Sequence, residues 1–229
     1  MEFRLIYQGP LLADKIDQTH QPRLVHKQEI RRKFHDQLEE LWKRDLVLNR
    51  ARNEPVSVLK DHAGESISTT RLQNLGNNYR RVGINWVPLV NEVWGAACSL
   101  DILFLRREAK TGIVQTGDLD NRIKLLIDAL RIPKENEFPE GIDPLKEPNP
   151  FFCLLSDDSL ITQFRVTADR LLVPNKESDS ELLKTDPASR GAQAESGKVY
   201  LVIEVKTFVI NQERASMTFG QLVHASGYV

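Results

Sequence analysis

The sequence predicts a mixed α+β fold: a small, largely antiparallel sheet with helices packed on it. Three observations predict it. Apolar residues alternate with period two over Ala97–Arg106, Leu160–Val173 and Lys198–Ile210, the repeat of a strand. Apolar residues recur at three and four over 27–47 and 121–131, the repeat of a helix with one buried face. Proline- and glycine-bearing polar stretches separate these segments, as turns and loops require.

Phe3 to Tyr7 reads as a first strand, stopped by Gln8-Gly9-Pro10. Residues 11–25 are polar and irregular. In the 27–47 helix, Ile30, Phe34, Leu38, Leu41, Trp42 and Leu46 form the apolar stripe, and Arg31-Arg32-Lys33 read as a solvated or phosphate-facing cluster. Residues 53–78 read as a long loop with one short strand near Val56–Leu59. Val82–Val90 contains Pro88, which suits an edge strand. Ala97–Arg106 is apolar on both faces and reads as a central strand. Thr111–Gly117 forms a turn into the helix 121–131, where Ile123, Leu126, Ile127 and Leu130 make the stripe and Pro133 ends it.

Residues 134–150 hold four prolines and five acidic residues and read as an exposed insertion. Phe151–Leu155 is a buried run that ends in Ser156-Asp157-Asp158-Ser159. Residues 174–197 form a second insertion, poor in aromatics. The strands Leu160–Val173 and Lys198–Ile210 form an expected antiparallel pair. Residues 211–229 read as a tail or an arm on a partner subunit.

Hydrophobic residues are 41% and charged residues 28%, the balance of a soluble globular chain able to bury a core. Cys98 and Cys153 lie in apolar runs with no metal spacing and read as reduced core thiols, so the expected location is cytoplasmic. No run approaches a membrane span. Net charge is −1, but its distribution is uneven: Lys and Arg exceed Asp and Glu by ten to six over 71–134, while the acids lead by thirteen to six over 135–197. A local basic region is compatible with nucleic acid. Arg80 and Arg81, Arg106 and Arg107, and Arg122 are its candidate contacts. Trp86 and Trp94 read as core aromatics, and none of the five histidines falls in a ligand spacing.

Chemistry concentrates in Asp118-Leu119-Asp120-Asn121-Arg122-Ile123-Lys124, at the start of the helix 121–131. If residues 118–120 are extended, Asp118 and Asp120 share a side, and Lys124 lies one helical turn beyond. Asp157-Asp158 supplies a second acidic element in a turn before a strand. Converging carboxylates suit Mg²⁺ or Mn²⁺, and a nearby lysine can offset phosphate charge or orient water. Such a set is the equipment for metal-assisted phosphodiester hydrolysis. The same residues have plain structural uses: Asp120 as a helix cap, Lys124 with Asp128 as an ion pair, Asp157-Asp158 as a turn.

The order D-x-D-N-x-x-K, then Asp128-Ala129-Leu130, then Asp157-Asp158, resembles the signature of RusA-like Holliday-junction resolvases. The resemblance is strongest over residues 97–172. It implies a single RusA-like nuclease domain over 1–229, interrupted by the two insertions. It also implies a homodimeric, Mg²⁺-dependent endodeoxyribonuclease that cuts branched DNA such as a four-way junction, in recombination and repair. Carried onto this sequence, Asp118, Asp120 and Asp158 are the metal carboxylates and Lys124 the catalytic lysine, with Asn121, Asp128 and Asp157 in support. Ala109–Gly117 stands where the family often carries arginines, and 134–150 lengthens the interval before Asp157. The alternative is a catalytically inactive DNA-binding or structural protein on the same fold.

Overall fold

The computed structural model describes residues 1–11, 21–60, 66–106, 116–171 and 198–211. Its central feature is a four-stranded mixed sheet in the order β1-β9-β6-β8. Here β1 is Glu2–Pro10, β6 Ala96–Arg106, β8 Ile161–Arg170 and β9 Lys198–Val209. β9 runs antiparallel to both β1 and β6, and β8 runs parallel to β6. The expected direct pairing of the last two strands is therefore not found, because β6 lies between them. A parallel pair needs a long crossover, and residues 107–160 supply it.

Alternation gives this sheet two different faces. Inward, Leu5 and Tyr7, Leu201 and Ile203, and Leu100 and Ile102 are buried in one core cluster with Phe34, Leu38 and Leu126 from the helices. Outward, charges meet across the strands: Arg4 on Glu204, Lys206 on Glu2, and Arg165 on Asp101. Opposite charges at neighbouring positions favour this register.

The 27–47 pattern becomes two helices, α1 (Gln21–Arg44) and α2 (Leu46–Asn53). The break is at Asp45, whose side chain accepts the Val47 and Leu48 amides, both at 3.0 Å. That satisfies two of the orphan donors at a helix start. Ile30, Phe34, Leu38 and Trp42 are buried as expected, whereas Leu46, just past the break, is 81% exposed. Arg31 is not on a solvated face; it is 1% exposed. His26 and His35 are buried too.

The region 53–78 is more ordered than its sequence suggests. β2 (Pro55–Lys60) and β3 (Ser66–Thr70) pair antiparallel, and α3 (Arg71–Asn78) follows. Thr70 and Gln73 form a capping box at its start, and Leu72 and Leu75 bury its apolar side. A third sheet holds β4 (Arg80–Arg81), β5 (Ile84–Val90) and β7 (Phe151–Leu155), with β5 and β7 parallel. β5 lies between β4 and β7 and is not the edge strand expected; Pro88 is tolerated because β4 reaches only Ile84 and Asn85, so among the described residues Pro88 is paired on the β7 side alone. Cys98 and Cys153 are free and buried, and Trp86 and Trp94 belong to the core.

Residues 134–150 are not a simple exposed loop. They make two short 3₁₀ turns, Glu135–Glu137 and Pro144–Lys146, and bury Glu137 and Glu147. Both acids turn inward because donors wait there: Glu147 accepts from Arg32 and the Gln28 amide, and Glu137 from Arg131. The 174–197 insertion, the segment beyond 211 and Arg107 lie outside the described residues. No described helix is long and apolar enough to cross a membrane.

Candidate active site

The helix that carries the motif, α4, spans Thr116–Leu130 and so begins before Asp118. The extended arrangement considered for residues 118–120 does not occur. Positions two apart on a helix do not share a face, so strand alternation does not bring 118 and 120 together. Carboxylates in the first turns of a helix are favoured by its dipole, which suits an early start. The side chain of Asp118 lies outside the described residues.

Leu119, Asp120, Ile123, Lys124, Ile127 and Asp128 follow the one-three-one-three spacing of a single helix face. They line one wall of a cleft of about 470 Å³. Phe164 and Val166 of β8 line the opposite wall, with Asp158. Sheet register explains the opening. Phe164 pairs with Leu100 and Val166 with Ile102; the β6 residues are buried, but Phe164, on the edge strand, is 55% exposed. The face of β8 that alternation marks as core therefore faces the cleft instead.

The 157–158 turn divides its two aspartates between two tasks. Asp157 caps the short 3₁₀ turn Asp158–Leu160, accepting the Ser159 amide at 3.0 Å. Hydrogen bonds from Ser159 hold its carboxyl below the ordinary aspartate range. Leu160 is buried and anchors the turn, and Asp158 is left exposed at the cleft.

Asp120, Lys124, Asp128 and Asp158 thus meet at one cleft. Asp120 and Lys124 are exposed, and no hydrogen bond or ion pair engages either among the described residues. Asp128 differs. Its Oδ2 lies 2.9 Å from Lys27 Nζ and its Oδ1 3.1 Å from Arg131 Nη2, so it pairs with these two and not with Lys124. Asn121 is half-buried and off the cleft lining.

Behind Asp128 is a buried ionic layer that the motif alone does not announce. Arg31 donates to the backbone oxygens of Asp128 at 2.9 Å and Arg131 at 3.3 Å. Burial pushes its guanidinium down to about 10, still charged at neutral pH. Arg131 donates twice to Glu137, at 2.8 and 2.9 Å. Burial works against the Glu137 anion, but the Arg131 bonds and the Lys134 amide win and bring its pKa to about 2. A signal for this layer exists in α1: Lys27, Arg31 and His35 recur at four, alongside the stripe of Ile30, Phe34 and Leu38.

The chain matches no protein-family model, no curated protein and no solved structure.

Chemistry of the donor set therefore carries the assessment. Asp120 and Asp158 present hard carboxylate oxygens, of the kind Mg²⁺ takes one or two at a time while keeping several waters. Among the described residues no group of three or more His, Cys, Asp or Glu side chains stands in metal-holding geometry. A site of two carboxylates with substrate phosphate completing the shell fits these residues. Among the described residues the candidate DNA-contacting arginines, Arg80, Arg81, Arg106 and Arg122, do not line the cleft. Arg80 is exposed and Arg106 half-buried at the end of β6. Arg81 donates to the Pro133 oxygen at 3.2 Å and Arg122 to the Leu11 oxygen at 2.6 Å, so both also tie segments of the fold together.

Proposed function

We propose that this chain is a Mg²⁺-dependent endodeoxyribonuclease of the RusA-like resolvase type, acting on branched DNA as a homodimer. One observation carries the reading: Asp158, far from Asp120 and Lys124 in sequence and singled out with them by the motif order, lines the same cleft. Asp120 and Asp158 would hold the cation, and Asp118 is the third carboxylate the resemblance assigns to it. Lys124 stands one turn from Asp120 and sets its ammonium against a phosphate oxygen as charge builds there. The bound cation supplies Lewis-acid polarisation of the phosphate and a lowered water pKa. Asp128 stays with Lys27 and Arg131 and supports α4 from behind. Two cuts on opposed strands need two such clefts, which a twofold dimer provides.

The test is a cleavage panel of four-way junction, flap, duplex and single strand, with and without Mg²⁺. The expected result is Mg²⁺-dependent cutting of the junction, lost by more than about 100-fold in Asp120→Asn with junction binding retained. Equal cutting by variant and wild type sinks the assignment. Tight junction binding with no cutting by wild type under any divalent cation replaces it with the DNA-binding reading.

A further inference from the structure

We propose that Glu137, carried by the 134–150 segment, is a positioning residue for the cleft. It holds Arg131 away from Asp158 and so leaves that carboxylate available to a divalent cation. The inference rests on the metal-dependent reading above and gives the insertion a task within it.

Arg131 stands at the point from which both arms of the cleft diverge. It follows directly on α4, which carries Asp120, Lys124 and Asp128. Its backbone bridges to Leu155 at the end of β7, and the Ile132 amide donates to the Leu155 oxygen at 3.0 Å. Ser156, Asp157 and Asp158 come next in the chain. A guanidinium at this node has Asp128, Glu137, Asp157 and Asp158 within its field.

Glu137 decides which of them it takes. Both of its oxygens accept from Arg131, a bidentate pair that matches the planar fork of the guanidinium. Its Oε2 also accepts the Lys134 amide at 3.0 Å, which fixes the carboxylate in place. Arg131 Nη2 has Asp128 Oδ1 at 3.1 Å as a second acceptor.

Charge count sharpens the argument. Lys27, Arg31 and Arg131 are all buried, and the buried carboxylates that answer them are Asp128 and Glu137. Neutralising Glu137 leaves three buried cations facing one buried anion. Of the remaining carboxylates in the field of Arg131, Asp157 is engaged by the Ser159 amide and Asp158 faces the cleft. A guanidinium turned towards it competes with a divalent cation for the same oxygens. Removing Arg131 along with Glu137 takes away one charge of each sign and removes the competitor.

The experiment measures Mn²⁺ affinity by electron paramagnetic resonance on the full chain without DNA, and junction cleavage against Mg²⁺ concentration. Glu137→Gln is expected to weaken Mn²⁺ binding at least tenfold and to raise the Mg²⁺ needed for half-maximal cleavage, with the KM for junction within twofold. The double variant Arg131→Gln/Glu137→Gln is expected to recover Mn²⁺ affinity to within threefold of wild type. If Glu137→Gln is too unstable to assay, Glu137→Asp carries the test, because a shorter carboxylate holds Arg131 less fully. Its Mn²⁺ affinity must still fall at least threefold. A lowered Tm with unchanged Mn²⁺ affinity, in whichever single variant is assayed, makes Glu137 merely structural and overturns the proposal. A double variant as weak as the single one overturns it as well. Wild type that binds no Mn²⁺ and cuts nothing overturns the metal-dependent reading itself, an outcome distinct from the other two.

Discussion

Replacing Asp128 by Asn tests the buried layer directly. Asp128 gives one carboxylate oxygen to Lys27 and the other to Arg131. Arg131 keeps Glu137, but Lys27 is 0% exposed and Asp128 is its only ion pair among the described residues. Removing one partner of a buried pair leaves a charge without compensation and costs about 3–5 kcal/mol. For a chain of 229 residues a urea m-value of roughly 3 kcal/mol per M is reasonable, so the midpoint falls by about 1–1.7 M. Lys27→Met alone strands Asp128 less completely, since Arg131 remains, and costs less. Combining Lys27→Met with Asp128→Leu removes both charges and is expected to be more stable than Asp128→Asn. Urea denaturation of the four proteins at pH 7.5, followed by far-UV circular dichroism, reads all of this. A midpoint shift below about 0.3 M for Asp128→Asn at constant m, or a double variant weaker than Asp128→Asn, refutes the reasoning.

Lys124→Ala removes an exposed side chain, so stability stays within about 0.5 kcal/mol. The turnover number for junction cleavage is expected to drop about 100-fold while junction affinity changes little; a loss of affinity at unchanged turnover makes Lys124 only a phosphate anchor. Acid stability depends on His35. Burial lowers its pKa from 6.5, and its Nδ1 accepts the Phe152 amide at 2.9 Å, which requires the unprotonated nitrogen. As pH falls through 6.5 the unfolded chain binds the proton first, so stability is full above that value and is lost below it. Urea midpoints should be level from pH 8 to 7 and decline towards pH 5, with a shallower decline in His35→Gln; a flat wild-type profile contradicts the assignment. Glu137 adds a separate loss as pH falls from 4.5 towards 2, because its folded pKa is depressed.

The period-two and period-four patterns carried most of the architecture. β1, β6, β8 and β9 fall where alternation puts strands, and the stripe Ile30, Phe34, Leu38, Trp42 is buried as read. Connectivity was harder. Alternation marks a strand without naming its neighbour, so β8 and β9 read as an antiparallel pair while β6 in fact separates them. Short elements with local chemistry were missed: α3 shows its start in Thr70 and Gln73, a capping box in an otherwise irregular stretch. Charges inside an apolar stripe misled in the other direction. Lys27 and Arg31 lie at core spacing, but their burial depends on Asp128, Glu137 and backbone oxygens some 100 residues away, which periodicity does not see. At the cleft, Asp120, Lys124 and Asp158 line one pocket, and its apolar wall of Phe164 follows from β8 being an edge strand.

The strand order has a consequence for how the sheet is completed. β9 is the last of the four strands in the sequence, yet it occupies an inner position, hydrogen-bonded to β1 on one side and β6 on the other. The Thr207 amide reaches the Met1 oxygen at 2.9 Å, across almost the whole described chain. Until residues 198–209 have been synthesised, β1 and β6 each expose an unpaired edge with nothing to close the gap. Contacts of such long sequence separation form slowly, because the entropy of closing the loop is lost before the contacts compensate for it. The final insertion of β9 joins two half-finished edges in one step, so the sheet gains its cooperativity late and all at once.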